Sequence, residues 1–196
     1  MSSEIVIPLS ILVAYLLGSV SFGILVAKSQ GVDIRSEGSG NPGVSNVLRV
    51  LGYRSGAAVL VGDGVKGAAA AWIGAALWSP EFGYVTLLAA VVGHAFPIWH
   101  GLKGGKSVAT AIGGFMYLAP AVGLALGVLW LGIVVVWKRA SVASLVVMTL
   151  VVPALWFIDR TNAELAWAAA IAVFVLVRHA SNIKRLLSSS EQLVTR

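Results

Sequence analysis

The sequence predicts an all-α, polytopic integral membrane protein with seven transmembrane helices, its N-terminus outside and its C-terminus in the cytoplasm. Hydrophobic residues make up 58% of the chain and charged residues only 11%, whereas a soluble domain carries about 25% charged residues. The apolar residues form runs long enough to cross a bilayer, and helices satisfy their own backbone groups in lipid. Lysine and arginine collect in alternate loops, which gives the orientation.

Composition also excludes several classes of function. The net charge is +6, but the cations are scattered between apolar runs, so we expect no nucleic-acid binding. The absence of cysteine excludes disulfides, thiolate metal sites and a thiol nucleophile. The first apolar run lacks the flanks of a signal peptide, so we expect it to be retained as a span. With no internal repeat or linker, residues 1–196 are interpreted as a single membrane-embedded domain.

Five apolar runs are clear candidates for spans, at residues 5–27, 56–78, 82–99, 142–158 and 163–177. The remaining stretch, 107–137, would be about 46 Å long as one helix, against a hydrocarbon core of about 30 Å. We therefore expect two short helices that turn near Ala119 and Pro120.

Charge favours that turn. With it, the loops after spans one, three, five and seven share one side, and Arg160 lies opposite with Glu4, Glu81, Asp159 and Glu164. A six-span arrangement would instead move Lys184 and Arg185 away from the other cations. By the positive-inside rule the basic side is cytoplasmic, and its cations are Lys28, Arg35, Arg49, Arg54, Lys103, Lys106, Lys138, Arg139, Arg178, Lys184, Arg185 and Arg196.

The first cytoplasmic segment contains the run G-S-G-N-P-G-V-S-N-V-L-R at residues 38–49. Glycine lets the backbone approach a ligand closely, serine and asparagine offer donors, and arginine suits phosphate as a bidentate partner. The alternative is a flexible polar loop in which Ser45 or Asn46 merely caps a helix. The candidate ligand-binding residues here are Ser39, Asn41, Gly43, Asn46 and Arg49.

The second segment is K-G-G-K-S at residues 103–107, directly before an apolar helix. Free N–H groups at a helix N-terminus bind anions, and Lys103 and Lys106 would strengthen such a site around Gly104 and Gly105. The earlier glycine of the nucleotide-binding motif is missing. An ordinary glycine turn with positive-inside lysines is the alternative.

The third segment, R-H-A-S-N-I-K-R at residues 178–185, ends the last span. His179, Asn182 and Arg185 lie three residues apart and would share one face of a continuing helix. Histidine is the usual proton-transfer side chain near neutral pH. The alternative is an amphipathic tail that binds anionic lipid headgroups.

Polar residues also occur within the spans. Asp63 and Lys66 are three apart and can face one another, either as a structural pair or as part of a site. His94 lies near the cytoplasmic end of span three, where a packing role is the simpler interpretation. The cytoplasmic segments hold no closely spaced carboxylates, no G-x-S-x-G and no His-x4-Asp. A metal-dependent phosphotransferase and a serine hydrolase are therefore not expected, and we expect neither a metal nor another cofactor.

Together these segments closely resemble the bacterial acyl-phosphate-dependent glycerol-3-phosphate acyltransferase family. The matching motifs are G-S-G-N-P-G-V-S-N-V-L-R, D-G-V-K-G, G-H-A-F-P-I-W with K-G-G-K-S-V-A-T, and R-H-A-S-N-I-K-R-L-L. The resemblance implies transfer of a fatty acyl group from acyl phosphate to the 1-hydroxyl of sn-glycerol 3-phosphate, which gives lysophosphatidate. The same residues would also serve an organic-anion or phosphate-ester transporter, and a structural subunit that binds lipid headgroups is a third hypothesis.

The resemblance also implies roles for particular residues. Ser39 and Arg49 match essential residues of the family, and Lys106 belongs with Gly104 and Gly105 to the loop that holds glycerol phosphate. Three positions depart from the usual pattern: Ser107 and Ser189 replace glycine, and Ser45 replaces threonine. The other matching residues are the catalytically important His179 and Asn182, Glu191 with a structural role, and Ser141 and Ser144 in the short loop after span five.

The expected mechanism is direct attack by the glycerol hydroxyl. Arg49, Lys103, Lys106 and Arg185 would neutralise the phosphates, and Ser39, Asn182 or backbone N–H groups would stabilise the oxyanion. The sequence leaves the base open between His179 and a substrate phosphate oxygen. We expect membrane lipids as surroundings, hand-over of acyl phosphate from a soluble enzyme that forms it, and a site facing the cytoplasm from the bacterial inner membrane.

Overall fold

The computed structural model describes residues 3–194, and all regular elements within that range are helices. Arg196, counted above among the cytoplasmic cations, lies outside the described residues. A short 3₁₀ turn at Ile98–His100 follows the fourth of the α-helices. These are α1 Ser3–Ser19, α2 Phe22–Lys28, α3 Val44–Leu77, α4 Pro80–Ala95, α5 Val108–Leu118, α6 Pro120–Trp137, α7 Ala140–Trp156, α8 Asn162–Arg178 and α9 Ala180–Leu187.

The helices confirm the prediction of an all-α membrane protein for the described part of the chain. By length and composition four stretches can cross a membrane, namely Ser3–Lys28, Val44–Leu77, Pro80–His100 and Pro120–Trp137, and the bent pair α8–α9 makes a fifth. Helices α5 and α7 are apolar but shorter. The 11 residues of α5 extend about 16 Å, roughly half of the hydrocarbon core. The count of seven spans and the orientation stay predictions.

The predicted turn between the two short helices is confirmed. Helix α5 ends at Leu118, and Pro120 is the first residue of α6, where its missing N–H and fixed φ suit a helix start. Gly123 allows the two helices to approach, since a Cβ there would lie 2.3 Å from the Met116 backbone nitrogen.

The first span is broken where continuous helix was predicted. Helix α1 ends at Ser19 and α2 begins at Phe22. The break removes helical partners from nearby backbone groups, and Lys66 Nζ of α3 donates to the Val20 carbonyl at 2.6 Å. A charged side chain of one span thus satisfies the backbone of another.

Helix α3 begins twelve residues earlier than predicted, at Val44 instead of residue 56. Gly52, at φ 82°, then kinks the helix, which a residue with a Cβ would do only with strain. The second half of the run at residues 38–49 is consequently helical. Asn46 and Arg49 therefore lie on one helical face and not in a flexible loop.

Small residues let α3 pack closely against α5. A Cβ at Gly67 would lie 1.9 Å from the Thr110 carbonyl oxygen, and one at Gly113 would lie 2.0 Å from the Gly64 carbonyl oxygen. Close approach through small residues is a common way to join helices in membranes. The main apolar core lies beside this pair, between α4, α5, α7 and α8, and includes Leu87, Phe115, Met148 and Ile171.

Candidate active site

A cavity of about 580 Å³ brings together residues from all three predicted polar segments and from α7. The segments are far apart in sequence, and the fold brings them together at one cavity. This confirms the prediction that the three polar segments lie close together. The polar residues around the cavity are Ser39, Asn41, Ser45, Asn46, Arg49, Asp63, His94, Lys106, Ser107, Ser141, Ser144, His179, Asn182, Arg185, Glu191 and Gln192.

The N-termini of three helices open onto this cavity. Val44 and Ser45 begin α3, Val108 and Ala109 begin α5, and Ala140 starts α7, and all of them line it. The first N–H groups of a helix have no partner within the helix, and the helix dipole makes that end positive. Three such ends beside Arg49, Lys106 and Arg185 make a site suited to anions, phosphate above all.

Asn46 organises the first segment. Its Nδ2 donates to the carbonyl oxygens of Ile34 (3.3 Å) and Glu37 (2.9 Å). Its Oδ1 accepts from the Ser39 backbone N–H at 2.9 Å and from Arg49 Nη1 at 3.1 Å. The amide is fully used inside the protein, so its contacts support a role in holding the loop more than the predicted role in binding substrate.

Ser39, Asn41 and Gly43 form the rim of the cavity. Asn41 Oδ1 accepts from the Gly43 N–H at 2.9 Å and closes a tight turn just before α3. Ser39 is exposed and lines the cavity, so its hydroxyl is available to a ligand. Arg49 reaches across the site, because its Nε donates to the Leu193 carbonyl at 2.8 Å.

Lys106 is half-buried and donates to Asn182 Oδ1. Burial, and next the charge of Arg185, lower the pKa of Lys106 to about 8, while the carboxylate of Glu191 acts in the opposite sense. An ammonium has three donors, and among the described residues only Asn182 accepts from this one. Its other N–H groups are available for an anion in the cavity.

Gly104 and Gly105 differ from the expectation that their amide groups bind phosphate. The Gly104 N–H donates to the Ala95 carbonyl and the Gly105 N–H to the His94 carbonyl, both at 3.1 Å. A Cβ on Gly105 would lie 2.1 Å from His94 Nε2. The contacts of the glycines therefore support close packing of the loop under α4, which places Lys106 in the cavity.

Lys103 lies apart from Lys106. It lines a second, smaller cavity of about 300 Å³ with Gly104, Arg35 and the rim residues Ser39 and Asn41. The predicted contact of Lys103 with substrate phosphate thus stays a prediction, at a position outside the main cavity.

His179 stands between α8 and α9, nearly fully buried. Its Nδ1 lies 2.8 Å from the Val175 carbonyl oxygen, which can only accept, so Nδ1 carries the proton. Burial lowers the pKa of His179 to about 4, although the hydrogen bond to Val175 works against that shift. The imidazole is consequently neutral at physiological pH, with Nε2 as an acceptor.

The predicted common face of the third segment is confirmed, since His179, Asn182 and Arg185 all line the cavity. Glu191 comes close to this face from the chain beyond α9. Its Oε1 accepts from Asn182 Nδ2 at 2.6 Å, and its Oε2 accepts from Arg185 Nε at 2.7 Å.

Ser141 and Ser144 lie on the first turns of α7, which corrects their prediction as loop residues. The helix begins at Ala140, two residues before the predicted span. The Ser144 hydroxyl donates to the Ala140 carbonyl at 2.7 Å and accepts from Trp130 Nε1 at 3.0 Å. Ser144 therefore joins α6 to α7, and both serines border the cavity.

Asp63, Lys66 and His94 form a buried polar cluster beneath the cavity. Asp63 Oδ1 is 2.7 Å from Lys66 Nζ, which confirms that the two side chains face each other. His94 Nδ1 lies 3.5 Å from the same oxygen and 3.3 Å from Thr110 Oγ1. The cluster connects α3, α4 and α5, in keeping with the structural role predicted for it.

Arg35 and the chain after Glu191 were not predicted as parts of the site. Arg35 Nη2 donates to the carbonyl oxygens of His100 (2.9 Å) and Lys103 (3.1 Å), and so joins the first loop to the second. In sequence Arg35 is one positive-inside cation among many. The contact of Leu193 with Arg49 is made by a backbone carbonyl. Because every residue has one, the side-chain types in the sequence do not predict such a contact.

Away from its polar end, the cavity continues as an apolar groove between α3, α5 and α6. Along α5 it extends from Ser107 to Met116, about 13 Å at the rise of an α-helix. The groove suits a hydrocarbon chain that is attached to an anionic group. Its apolar lining consists of Leu60, Val61, Val65, Ala68, Ile112, Met116, Leu124, Val128 and Leu131.

Comparisons with known proteins point to the same chemistry. The family model described as glycerol-3-phosphate acyltransferase matches residues 8–189. A glycerol-3-phosphate acyltransferase from Geotalea daltonii is 39% identical over the full length of both chains. One from Neisseria gonorrhoeae is 40% identical and covers 94% of this chain and 96% of its own.

Two solved structures share the fold. Both are crystal structures of PlsY (YgiH), described as an integral membrane glycerol 3-phosphate acyltransferase. Its glycerol 3-phosphate form has a TM-score of 0.90 at 37% identity, and covers 95% of this chain and 94% of that one. Its lysophosphatidic acid form has a TM-score of 0.88 at 38% identity with the same coverage.

Proposed function

The chain belongs to the glycerol-3-phosphate acyltransferase family, and from that membership we propose that it transfers a fatty acyl group from acyl phosphate to the 1-hydroxyl of sn-glycerol 3-phosphate. The products are lysophosphatidate and inorganic phosphate. One observation carries the proposal: the same cavity has a cationic end with three helix N-termini and an apolar groove. Such a cavity fits an acyl phosphate, which joins an anion to a hydrocarbon chain.

Two phosphates meet in this reaction, and the site supplies several positive groups for them. Arg49, Lys106 and Arg185 surround the polar end, and guanidinium groups bind phosphate oxygens in pairs. Lys103 and Arg35 border the smaller cavity beside the rim. We assign these two residues to the path by which the water-soluble substrate approaches.

The bonding changes need no covalent enzyme intermediate. The glycerol oxygen attacks the acyl carbon, the bond from that carbon to the phosphate oxygen breaks, and the electron pair leaves with the phosphate. Negative charge develops on the carbonyl oxygen and on the leaving phosphate. Lys106, Arg49 and the helix N-termini would stabilise the phosphate, and Ser39 or Asn182 would donate to the carbonyl oxygen.

The hydroxyl proton goes to a phosphate oxygen in this proposal. His179, with a pKa of about 4, is a weaker base than a phosphate monoester, whose second pKa is about 6. His179 is therefore assigned to orientation of a substrate group through its neutral ring. The substrate phosphate is therefore proposed as the base.

The proposed setting is the bacterial cytoplasmic membrane, with the polar end of the cavity facing the cytoplasm. Both phosphate compounds reach the site from that side, and acyl phosphate comes from a soluble enzyme that forms it. Transport of a phosphate ester would use similar residues, but the matching family model is described as a glycerol-3-phosphate acyltransferase, which favours acyl transfer over transport.

One assay tests the reaction. Purified protein is incubated with palmitoyl phosphate and radiolabelled glycerol 3-phosphate, without added metal, and labelled lysophosphatidate is the expected product. Lys106→Ala removes a cation of the cavity and is expected to lower kcat/KM about a hundredfold, the effect of losing a charged hydrogen bond in a desolvated site. No product from the wild-type protein would disprove the proposed function, and full activity of the variant would remove Lys106 from the site.

A further inference from the structure

The chain turns back over the active site after α9. Ser189, at φ 54°, and a hydrogen bond from the Ser190 N–H to the Arg185 carbonyl at 2.8 Å reverse its direction. Beyond the turn, the Leu193 carbonyl accepts from Arg49 Nε at 2.8 Å, and the Val194 N–H donates to the Lys138 carbonyl at 2.7 Å. We call residues 188–194 the tail. Hydrogen bonds hold the tail near both of its ends, and Glu191 lies between them.

Both carboxylate oxygens of Glu191 are used. One accepts from Asn182 and the other from Arg185 Nε, at 2.6 and 2.7 Å. The contact with Arg185 occupies only Nε, so both terminal nitrogens of the guanidinium stay free of partners among the described residues. Glu191 thus orients Arg185 without blocking the edge that faces the cavity.

The contact with Asn182 decides which way its amide points. Nδ2 faces the Glu191 carboxylate, and Oδ1 faces the Lys106 ammonium. The flipped amide would set an acceptor against the carboxylate and a donor against the ammonium, so it would lose both hydrogen bonds. A carboxylate at position 191 therefore fixes the oxygen that holds Lys106 in place.

The charge of Glu191 also acts on Lys106, because a nearby carboxylate favours the ammonium form. Arg185 from α9, Arg178 from the end of α8 and Arg49 from α3 all disfavour the protonated form of Lys106, and Glu191 from the tail favours it. His179, which also lies near, is neutral. Burial would raise the pKa of Glu191, but the nearby Ser141 hydroxyl and the hydrogen bonds from Asn182 and Arg185 hold it below the usual value. Glu191 is therefore ionised at neutral pH.

We propose that Glu191 is a positioning residue for acyl transfer, which fixes Lys106 through the Asn182 amide and keeps the Lys106 ammonium charged. This gives Glu191 a role in the reaction beyond the structural role that the family resemblance implies. The inference rests on the proposed function, because Lys106 must bind a phosphate for its position and charge to matter.

The experiment compares kcat/KM for glycerol 3-phosphate between pH 6 and pH 10 in the wild type and in Glu191→Gln. This ratio reports on the free enzyme, so the wild type is expected to lose activity above about pH 8, where Lys106 loses its proton. Removing the neighbouring negative charge lowers that pKa further. In Glu191→Gln we expect this alkaline limb to move at least half a pH unit lower, and kcat/KM at pH 7 to fall about tenfold.

Ser190→Ala is the matched control, since Ser190 is exposed on the same tail and bonds to the Ser188 hydroxyl and the Arg185 carbonyl. Its profile should coincide with that of the wild type. A folded Glu191→Gln protein whose alkaline limb stays at the wild-type pH would overturn the proposal. An inactive wild-type protein would instead show that the proposed function is wrong.

A second variant covers the case in which Glu191→Gln does not fold. Glu191→Asp keeps the charge but shortens the reach to Asn182. We expect its alkaline limb to stay within about 0.2 pH units of the wild type, with kcat/KM lowered about fivefold at every pH. Full wild-type activity in Glu191→Asp would show that the contact with Asn182 has no positioning role.

Discussion

His179 has the residue type of a general base but the surroundings of a neutral hydrogen-bonding group. Its Nδ1 proton is directed to the Val175 carbonyl, and burial lowers its pKa to about 4. With a pKa of about 4, the ring is half protonated near pH 4 and predominantly neutral at physiological pH. The sequence predicted the residue but left its role open, because burial is a property of the fold.

The first prediction concerns the acid limb of the activity profile. We expect kcat/KM of the wild type to fall below about pH 6 as the substrate phosphate takes up a proton. His179→Gln should lower kcat/KM about tenfold or more but leave this limb at the same pH. The measurement is initial rate against pH for both proteins. If the limb disappears in the variant, His179 itself is the titrating base.

Ser107 and Ser189 show how a departure from a family pattern can report on backbone shape. Both stand where the family resemblance implies glycine, and both lie at positive φ, 64° and 54°. L-residues are strained there by about 1–2 kcal/mol, and glycine is not. At Ser107 the hydroxyl offers compensation, because it donates to the Val91 carbonyl at 2.7 Å. The replacement of glycine by Ser107 therefore changes the backbone energetics.

Among the elements, α3 and α5 both border the apolar groove, and two of their glycines have opposite surroundings. A Cβ on Gly113 would lie 2.0 Å from the Gly64 carbonyl oxygen, so that position is closed by backbone. A Cβ on Gly64 would meet nothing closer than 3.8 Å, and Gly64 lines the apolar groove. The sequence predicted apolar helices here, but helical periodicity cannot tell at which glycine an added side chain would meet backbone and at which it would find open space.

The second prediction uses this difference. Gly64→Leu places a side chain in the groove, so we expect kcat/KM to fall about tenfold for palmitoyl phosphate and much less for octanoyl phosphate, whose chain is shorter. Gly132→Leu is the control, because Gly132 on α6 has open space and lies outside the cavity. Equal losses with the two donors would show that the chain does not occupy this groove.

Gly113→Ala gives the complementary prediction. Its added methyl group forces the backbones of α3 and α5 apart, at a cost of about 1–3 kcal/mol in the free energy of unfolding. Thermal unfolding in detergent should show a lower Tm than for the wild type, whereas Gly64→Ala should unfold at nearly the wild-type temperature. A Gly113→Ala protein as stable as the wild type would mean that the two helices can separate freely.

For the whole molecule, the sequence predicted the helical class and the turn at Pro120, and it grouped the polar segments at one end. Composition and charge distribution suffice for these features. The break at Val20, the early start of α3 and the use of the Gly104 and Gly105 amides depend on tertiary contacts, chiefly those of Lys66, Asn46 and the end of α4. Such contacts override the hydropathy pattern and could not be predicted from it.

Orientation in the membrane can be tested because the chain has no cysteine. Ser188→Cys and Asp159→Cys each place one thiol at an exposed position, in the tail and between α7 and α8 respectively. In intact cells a membrane-impermeant maleimide is expected to label position 159 and not 188, and opening the cells should expose position 188. Labelling of position 188 from outside would reverse the proposed topology.

The break in the first span has a consequence for biogenesis. A ribosome completes α1 and α2 before it adds Lys66, so the Val20 carbonyl enters the hydrocarbon without its partner. An uncapped carbonyl in lipid is costly, whereas a continuous helix has none along its length. The nascent first span is therefore expected to insert as an unbroken helix, and the break would form only when α3 docks against it. The broken form then marks a finished fold, and an early truncated chain would lack it.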